Sequence, residues 1–176
     1  MKSNIALIGF MGTGKTAVGK LLAKKLGKEF YELDRLIEQK AGKIIPEIFK
    51  EDGEIAFREL EIEVTKEVSE KENTVMACGG GVVLNKINID RLKNKATIVY
   101  LTASPEVILE RTSKDAEVRP LLEVANPTRT IKELLKFRKP FYDRAADIKI
   151  NTSRLSIGSA AEKIIVKLKQ DESFNS

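Results

Sequence analysis

A glycine-rich octapeptide near the start of the chain constrains the fold more than any other feature of the sequence. Residues 9–16 read GFMGTGKT and match the pattern GxxxxGK[ST] of a phosphate-binding loop, or P-loop. The apolar run at 5–8 predicts a buried strand before the loop, and apolar residues at helical spacing predict a helix that ends at Gly27. This order of strand, loop and helix predicts a protein that binds a nucleoside triphosphate.

Each residue type in this loop has a physical task in binding a triphosphate. Glycines let the backbone turn tightly and direct successive N–H groups at phosphate oxygens. The helix that follows adds the positive end of its dipole. Lys15 supplies a positive charge for the terminal phosphates, and the hydroxyl of Thr16 can ligate Mg²⁺. The loop therefore predicts a site for the triphosphate together with its metal ion.

Beyond the loop, short apolar runs alternate with amphipathic stretches. Strands are predicted at 5–8, 30–33, 74–78, 97–101 and 147–151, and helices at 34–39, 44–50, 57–68, from 104 onward, at 130–139 and at 160–169. Residues 114–126 show little periodicity and are predicted to form a mobile loop, and Pro140 is expected to disturb the helix before it. Strands that alternate with helices predict an α/β fold with a parallel sheet covered on both faces.

Composition narrows the classes of function. The chain has 176 residues, of which 42% are hydrophobic, as expected for one globular domain. It has no histidine, which excludes an imidazole base and a His-ligated metal, and its one cysteine, Cys78, excludes an internal disulfide and a Cys-rich zinc site. We therefore expect a reducing, cytoplasmic setting. The net charge of +5 without blocks of Lys or Arg suits a small anionic ligand better than nucleic acid, and no apolar run predicts a membrane span.

Together with the loop, seven later segments resemble the shikimate kinase family, whose members are small P-loop kinases similar to nucleoside-monophosphate kinases. The segments are FYELD at 30–34, IPEIF at 45–49, GEIAFRELE at 53–61, GGG at 79–81, RPLL at 119–122, RKPFY at 138–142 and NTSR at 151–154. The resemblance implies a three-layer α/β/α fold with a five-stranded parallel sheet in the order 2-3-1-4-5. It also implies a single domain over 1–176, with the P-loop at 9–16, a substrate-binding segment at about 33–61, a mobile lid at about 112–125 and an adenine loop at about 151–156.

The reaction that this resemblance implies is transfer of the ATP γ-phosphate to the 3-hydroxyl of shikimate, a carboxylated cyclohexene triol. The product would be shikimate 3-phosphate, on the route to chorismate and the aromatic amino acids. Mg²⁺ is the expected metal ion, and a monomer is the expected form. The residues implied in ATP binding are Gly12, Thr13, Gly14, Lys15, Thr16, Ala17, Arg111, Arg119 and Arg154.

On the acceptor side, Asp34 follows a predicted strand at the sheet edge where open parallel sheets bind ligands. Because the chain lacks histidine, a carboxylate is the leading partner for the acceptor hydroxyl. By resemblance Asp34 binds that hydroxyl and acts as the catalytic base, although its position also suits a helix N-cap. Arg58 and Arg138 would bind the substrate carboxylate bidentately, although Arg58 could equally lie on a solvated helix face.

Further residues gain a role from the resemblance. Gly79, Gly80 and Gly81 would line the acceptor site, where a backbone without side chains can approach a ligand closely. Arg119, in the predicted lid, would join Lys15 in stabilising the transferring phosphoryl group. Arg111 and Arg154 would border the adenine ring, Thr16 and Glu32 would hold the metal ion, and Phe49 and Phe57 could pack on the substrate ring or in the core.

The chain departs from the family pattern at two positions. Glu32 stands where the family usually has an aspartate that helps to hold Mg²⁺, so the carboxylate is retained on a longer side chain. Ala77 stands where some relatives carry a hydroxyl that meets metal-bound water. Cys78, next to it, is expected to be a buried apolar residue.

Three alternatives stay open on the sequence alone. A kinase for a nucleoside monophosphate or a sugar acid such as gluconate would also need arginines, although the FRELE and GGG segments favour shikimate. A GTP-dependent switch protein would carry an NKxD motif, and the nearest string, NKIN at 85–88, lacks the aspartate. A relative that binds without turnover is disfavoured by the joint presence of Lys15, Thr16, Asp34, Arg58, Arg119 and Arg138, but Glu32 and Ala77 leave it open.

Overall fold

A computed structural model describes residues 2–114, 122, 125–171 and 174. The strands are β1 (Asn4–Ile8), β2 (Glu29–Glu32), β3 (Thr74–Ala77), β4 (Ala96–Thr102) and β5 (Ile148–Asn151). The helices are α1 (Lys15–Leu26), α2 (Leu33–Ala41), α3 (Ile45–Glu51), α4 (Gly53–Ser69), α5 (Lys86–Lys95), α6 (Pro105–Lys114), α7 (Pro127–Ala145) and α8 (Ile157–Lys169). A short 3₁₀ helix spans Val82–Leu84.

The strands form one parallel sheet in the order β2-β3-β1-β4-β5, which confirms the predicted α/β class and strand order. The central strand β1 pairs with β3 on one side and β4 on the other, with Ile5 opposite both Val75 and Thr97. The P-loop, Asp34 and the glycine loop 79–81 follow the carboxyl ends of β1, β2 and β3. The topology therefore brings three separate parts of the sequence to one edge of the sheet.

Alternating side chains of the strands enter two apolar layers, one on each face of the sheet. Ile5 and Leu7 pack with buried residues of α1 and α8, whereas Ala6 and Ile8 pack with buried residues of α2, α4 and α7. Because both faces are covered, β1 is apolar at nearly every position rather than alternating. This rigid central strand holds the P-loop at its end.

One expectation about the helices is wrong, and one helix was not predicted. Helix α7 does not stop at Pro140 but continues to Ala145, because buried Ile131, Tyr142 and Ala145 hold both halves of the helix against the core. That packing offsets the loss of one backbone hydrogen bond at the proline. Helix α5 was not predicted at all, because only Ile87, Ile89 and Leu92 are apolar in its ten residues.

Most of the other helices and strands begin and end within a few residues of their predicted bounds. Most of the predicted lid, 115–121 and 123–124 with Arg119 in it, lies outside the described residues. Among the described residues, no helix is long and apolar enough to cross a membrane. The division of the chain into P-loop, substrate segment, lid and adenine loop stays a prediction.

Candidate active site

The P-loop connects β1 to α1, and its glycines are required by its backbone path. Gly14 has φ +96° and forms the N-cap of α1, a left-handed conformation that residues with a side chain rarely adopt. A Cβ on Gly9 would lie 2.3 Å from the carbonyl oxygen of Leu101, so only glycine fits there. The ammonium group of Lys15 donates to the carbonyls of Gly9 and Phe10, at 2.8 and 2.9 Å, and so is held against the first two residues of the loop.

A cavity of about 610 Å³ opens beside this loop. This volume is in the range of ordinary small-molecule sites. Predicted site residues line it, and so do several that the sequence did not indicate, namely Met11, Lys20, Cys78 and Lys114. The predicted lining residues are Gly12, Gly14, Lys15, Thr16, Ala17, Glu32, Asp34, Gly80 and Arg111.

Thr16 and Glu32 both line this cavity, and the Thr16 hydroxyl donates to Glu32 Oε1 at 2.7 Å. The longer side chain of Glu32 therefore reaches the P-loop hydroxyl. No cluster of three acidic, cysteine or histidine residues suited to a metal ion occurs in the described ranges. One carboxylate and one hydroxyl fit Mg²⁺, which takes few protein ligands and completes its shell with phosphate oxygens and water. Ala77 also lines the cavity but contributes no polar atom.

The glycine loop 79–81 lies at the centre of the acceptor side. A Cβ on Gly79 would lie 2.8 Å from Asp34 Oδ1, and one on Gly81 would lie 2.3 Å from Arg58 Nη1. A Cβ on Gly80 would lie 3.5 Å from Arg138 Nη1 and 3.5 Å from the backbone nitrogen of Met11. The loop thus contacts all three predicted acceptor-binding side chains and the P-loop as well, and side chains on Gly79 or Gly81 would displace them.

Helix α4 holds Arg58 against this loop rather than on a solvated face. The side chain is only 14% exposed, and its guanidinium carbon lies 5.0 Å from the centre of the Phe57 ring. Arg58 Nη1 donates to both carboxylate oxygens of Glu61 at 3.1 and 3.2 Å, and Nη2 donates to Glu54 at 3.1 Å. Two carboxylates therefore fix the orientation of Arg58 before any ligand binds. Phe57 is buried and contacts Phe49 at 4.9 Å between ring centres, so both belong to the core layer under this helix.

Sequence reasoning missed Glu61, although it lies in the FRELE segment three residues after Arg58. Its side chain is completely buried, and a Cβ on Gly79 would lie 3.2 Å from Glu61 Oε2. Burial raises the pKa of Glu61 to about 7, against the opposing effect of Arg58, and nearby Asp34 raises it further. The i, i+3 spacing to an arginine was the available signal, but it is equally typical of an exposed ion pair.

Arg138 is 3% exposed, which is rare for an arginine, and it lies over the Phe10 ring at 5.7 Å. Its Nε has no hydrogen-bond partner among the described residues. A buried guanidinium with an unused donor favours an anionic ligand. One helical turn later, Tyr142 is fully buried and donates its hydroxyl hydrogen to the carbonyl oxygen of Gly80.

On the nucleotide side, Arg111 joins the P-loop to the predicted adenine loop. Its guanidinium donates to the Gly12 carbonyl at 3.1 Å, and to the hydroxyl and carbonyl of Thr152 at 3.1 and 2.9 Å. The Thr152 hydroxyl lies 2.9 Å from the Thr13 carbonyl oxygen, so this buried residue is also part of the junction. Arg154 lies exposed in a turn and does not line the cavity, so its contact with adenine stays a prediction.

Cys78 is buried, as predicted, and burial raises the pKa of its thiol to about 12. A thiol that stays protonated is a poor nucleophile, so this residue fills space beside the cavity.

Comparison with known proteins identifies the family of the chain. A family model described as shikimate kinase matches residues 11–169. The chain is 52% identical over 162 residues to the shikimate kinase of Thermodesulfovibrio yellowstonii, covering 92% of each chain, and 48% identical over 169 residues to that of Caldanaerobacter subterraneus subsp. tengcongensis, covering 94% of this chain and 98% of the relative. The solved structure of shikimate kinase from Acinetobacter baumannii in complex with shikimate superposes with a TM-score of 0.93 at 39% identity, covering 98% of this chain and 96% of that one.

Proposed function

The chain belongs to the shikimate kinase family, and we propose that it transfers the γ-phosphate of ATP to the 3-hydroxyl of shikimate. The product is shikimate 3-phosphate, so the enzyme is a phosphotransferase that serves the biosynthesis of chorismate and the aromatic amino acids. One observation carries the assignment beyond the family match. The glycine loop 79–81 lies between the P-loop and two oriented arginines, next to a carboxylate, so a phosphate donor and an anionic polyol can meet there.

On the donor side, the residues mainly position ATP and neutralise its charge, as phosphoryl transfer requires. The backbone of Gly12, Thr13 and Gly14 binds the phosphates at the N-terminus of α1, with Thr16 and Ala17 in its first turn. Lys15 moves from the loop carbonyls to the terminal phosphates, and Arg119 joins it on the transferring group. Arg111 borders the adenine ring while it holds the P-loop to the adenine loop, and Arg154 borders the ring from the other side.

Thr16 and Glu32 are the residues that would hold Mg²⁺, either directly or through water. When bound, the metal ion would supply positive charge that neutralises the phosphates of ATP. Glu32 also accepts the Thr16 hydrogen, so the lone pairs of the hydroxyl oxygen would be available to a cation.

On the acceptor side, Arg58 and Arg138 bind the shikimate carboxylate, and the backbone of Gly79, Gly80 and Gly81 contacts the ring and its hydroxyls. Asp34 accepts a hydrogen bond from the 3-hydroxyl, orients it toward the γ-phosphate and takes its proton as transfer proceeds. Glu61 keeps Arg58 in the binding orientation. The arginine side chains are largely removed from water, which strengthens their attraction to a carboxylate.

We expect the enzyme to act as a cytoplasmic monomer, in keeping with its single buried, unreactive cysteine.

A coupled assay of ADP release tests the function and separates it from its rivals. Turnover should require Mg²⁺ and shikimate. With gluconate, AMP, CMP or UMP in place of shikimate, the rate of ADP release should equal the rate without an acceptor. Faster turnover with gluconate or a monophosphate would refute the assignment of the acceptor. No turnover with any acceptor, despite ATP and shikimate binding by calorimetry, would identify a relative that binds without catalysis.

A further inference from the structure

The carbonyl oxygens of the glycine loop all have hydrogen-bond donors within the protein. Gly79 O accepts from the Val82 N–H at 3.2 Å, and Gly81 O accepts from the Leu84 N–H at 3.0 Å, both within the turn of the 3₁₀ helix. Gly80 O accepts from the hydroxyl of Tyr142, which lies 62 residues further along the chain. The N–H groups of these three glycines form no hydrogen bond to any residue that the structure describes.

The peptide group between Gly80 and Gly81 therefore has a defined orientation. It is trans, as are all described peptide bonds, so its C=O and N–H groups point in opposite directions. Since the carbonyl points at Tyr142, the N–H of Gly81 points away from that residue. A loop with bound carbonyls and available N–H groups is a donor surface, which suits an anionic or hydroxylated ligand.

We propose that Tyr142 is a positioning residue whose hydroxyl fixes this polarity, so that the glycine loop presents donors and no carbonyl oxygen to the acceptor substrate. This inference rests on the proposed function, and it names a residue that does not itself touch the substrate.

The surroundings of Tyr142 make its hydroxyl a rigid donor. The side chain is fully buried, and its ring stacks on that of Tyr100 with 4.8 Å between ring centres and 21° between planes. Burial raises the pKa of the Tyr142 phenol well above its ordinary value, against the opposing effect of a hydrogen bond with the Arg138 side chain, so the hydroxyl stays protonated at all physiological pH values.

Loss of this hydroxyl would remove the protein donor of the Gly80 carbonyl, which is partly buried at the edge of the cavity. Neither glycine has a side chain to hinder rotation of the peptide between them. Rotation toward Arg138, whose Nη1 would lie only 3.5 Å from a Cβ on Gly80, would give the oxygen a new donor. The oxygen would then compete with the substrate carboxylate for Arg138 and repel oxygen atoms of the acceptor.

The test is Tyr142→Phe, with Tyr100→Phe as the matched control. Both substitutions keep the stacked ring pair, but only the first removes a hydroxyl bonded to the glycine loop and to Arg138. For Tyr142→Phe we expect the KM for shikimate, and its Kd by calorimetry in the presence of ADP, to rise up to about tenfold, the usual effect of one lost hydrogen bond. The KM for ATP should stay within about twofold and kcat within about threefold, and Tyr100→Phe should leave all these values unchanged.

Two outcomes would overturn the proposal, both measured at a temperature where circular dichroism shows the Tyr142→Phe variant to be folded. An unchanged shikimate KM, or an equal weakening of ATP and shikimate, would each show that the hydroxyl does not act on the acceptor site specifically. Turnover of shikimate by the wild-type chain, measured in the same series, tests the proposed function separately.

Discussion

The buried carboxylate of Glu61 leads to a quantitative prediction about stability. Its pKa is raised from 4.5 to about 7 in the folded protein. Between these two values the folded state keeps a proton that the unfolded chain has released, so the free energy of unfolding falls as the pH rises through this window. The pKa differs between the folded and unfolded states by two to three units, and each unit corresponds to 1.36 kcal/mol. The free energy of unfolding should therefore fall by about 3 kcal/mol between pH 4.5 and 8.

Replacement of Glu61 by glutamine removes this titration and keeps an oxygen that can accept from Arg58. Relative to wild type, Glu61→Gln should therefore gain stability with rising pH, by about 3 kcal/mol between pH 4.5 and 8. For a domain of this size this gain is roughly 10 °C in Tm. A good or poor fit of the amide changes the stability of the variant by the same amount at every pH. The pH dependence of the stability difference therefore reports the titration of the Glu61 carboxyl group alone.

The measurement is urea unfolding of both proteins at half-unit steps from pH 4.5 to 8.5. Glu54→Gln is the matched control, because Glu54 also bonds Arg58 but its side chain is 54% exposed and carries no comparable burial penalty. Its difference from wild type should not follow the same pH window. A stability difference between Glu61→Gln and wild type that is flat from pH 5 to 8 would refute the argument.

Four further substitutions test the proposed roles of single residues. Arg58→Ala should raise the KM for shikimate about 10- to 100-fold, the usual effect of losing a charge-assisted hydrogen bond, and leave the KM for ATP nearly intact; equal losses for both ligands would count against its role. Asp34→Asn should lower kcat about a hundredfold or more with an unchanged circular dichroism spectrum, and a near-normal kcat would exclude Asp34 as the base. Glu32→Gln should raise the Mg²⁺ concentration for half-maximal rate about tenfold, a result that an unchanged Mg²⁺ titration would contradict. Thr152→Val, which removes the hydroxyl beside the Thr13 carbonyl, should raise the KM for ATP about fivefold without changing that for shikimate, so a larger effect on shikimate would disprove its place on the nucleotide side.

The strands and the P-loop were predictable because their signals are local. A buried parallel strand is apolar at almost every position, and the run at 5–8 shows this directly. The course of α7 past Pro140 was not predictable, because the packing that keeps the helix intact comes from residues distant in sequence. The polar sequence of α5 likewise becomes a helix through a narrow apolar stripe that packs on α4 and β4.

The residues of the candidate site also divide into those with a local sequence signal and those whose role depends on contacts with distant residues. Asp34, Arg58 and the three glycines could be indicated by short segments, since each lies in or next to a recognisable string. Tyr142 and Thr152 also lie in such strings, RKPFY and NTSR, but the strings did not indicate their roles, because their hydroxyls act on backbone atoms 62 and 139 residues away in sequence. Nothing in the local pattern distinguishes such a residue from ordinary core packing.

The charges around the glycine loop explain why a buried acid with a pKa near neutrality suits this site. Arg58 and Arg138 lie close to the carboxyl groups of Asp34 and Glu61, and the Glu61 carboxylate reduces the attraction of Arg58 for an incoming carboxylate. Protonation of Glu61 removes one negative charge from this group, and burial of the carboxyl group is what makes that protonation accessible near pH 7. The burial that costs stability at alkaline pH therefore also favours binding of an organic anion.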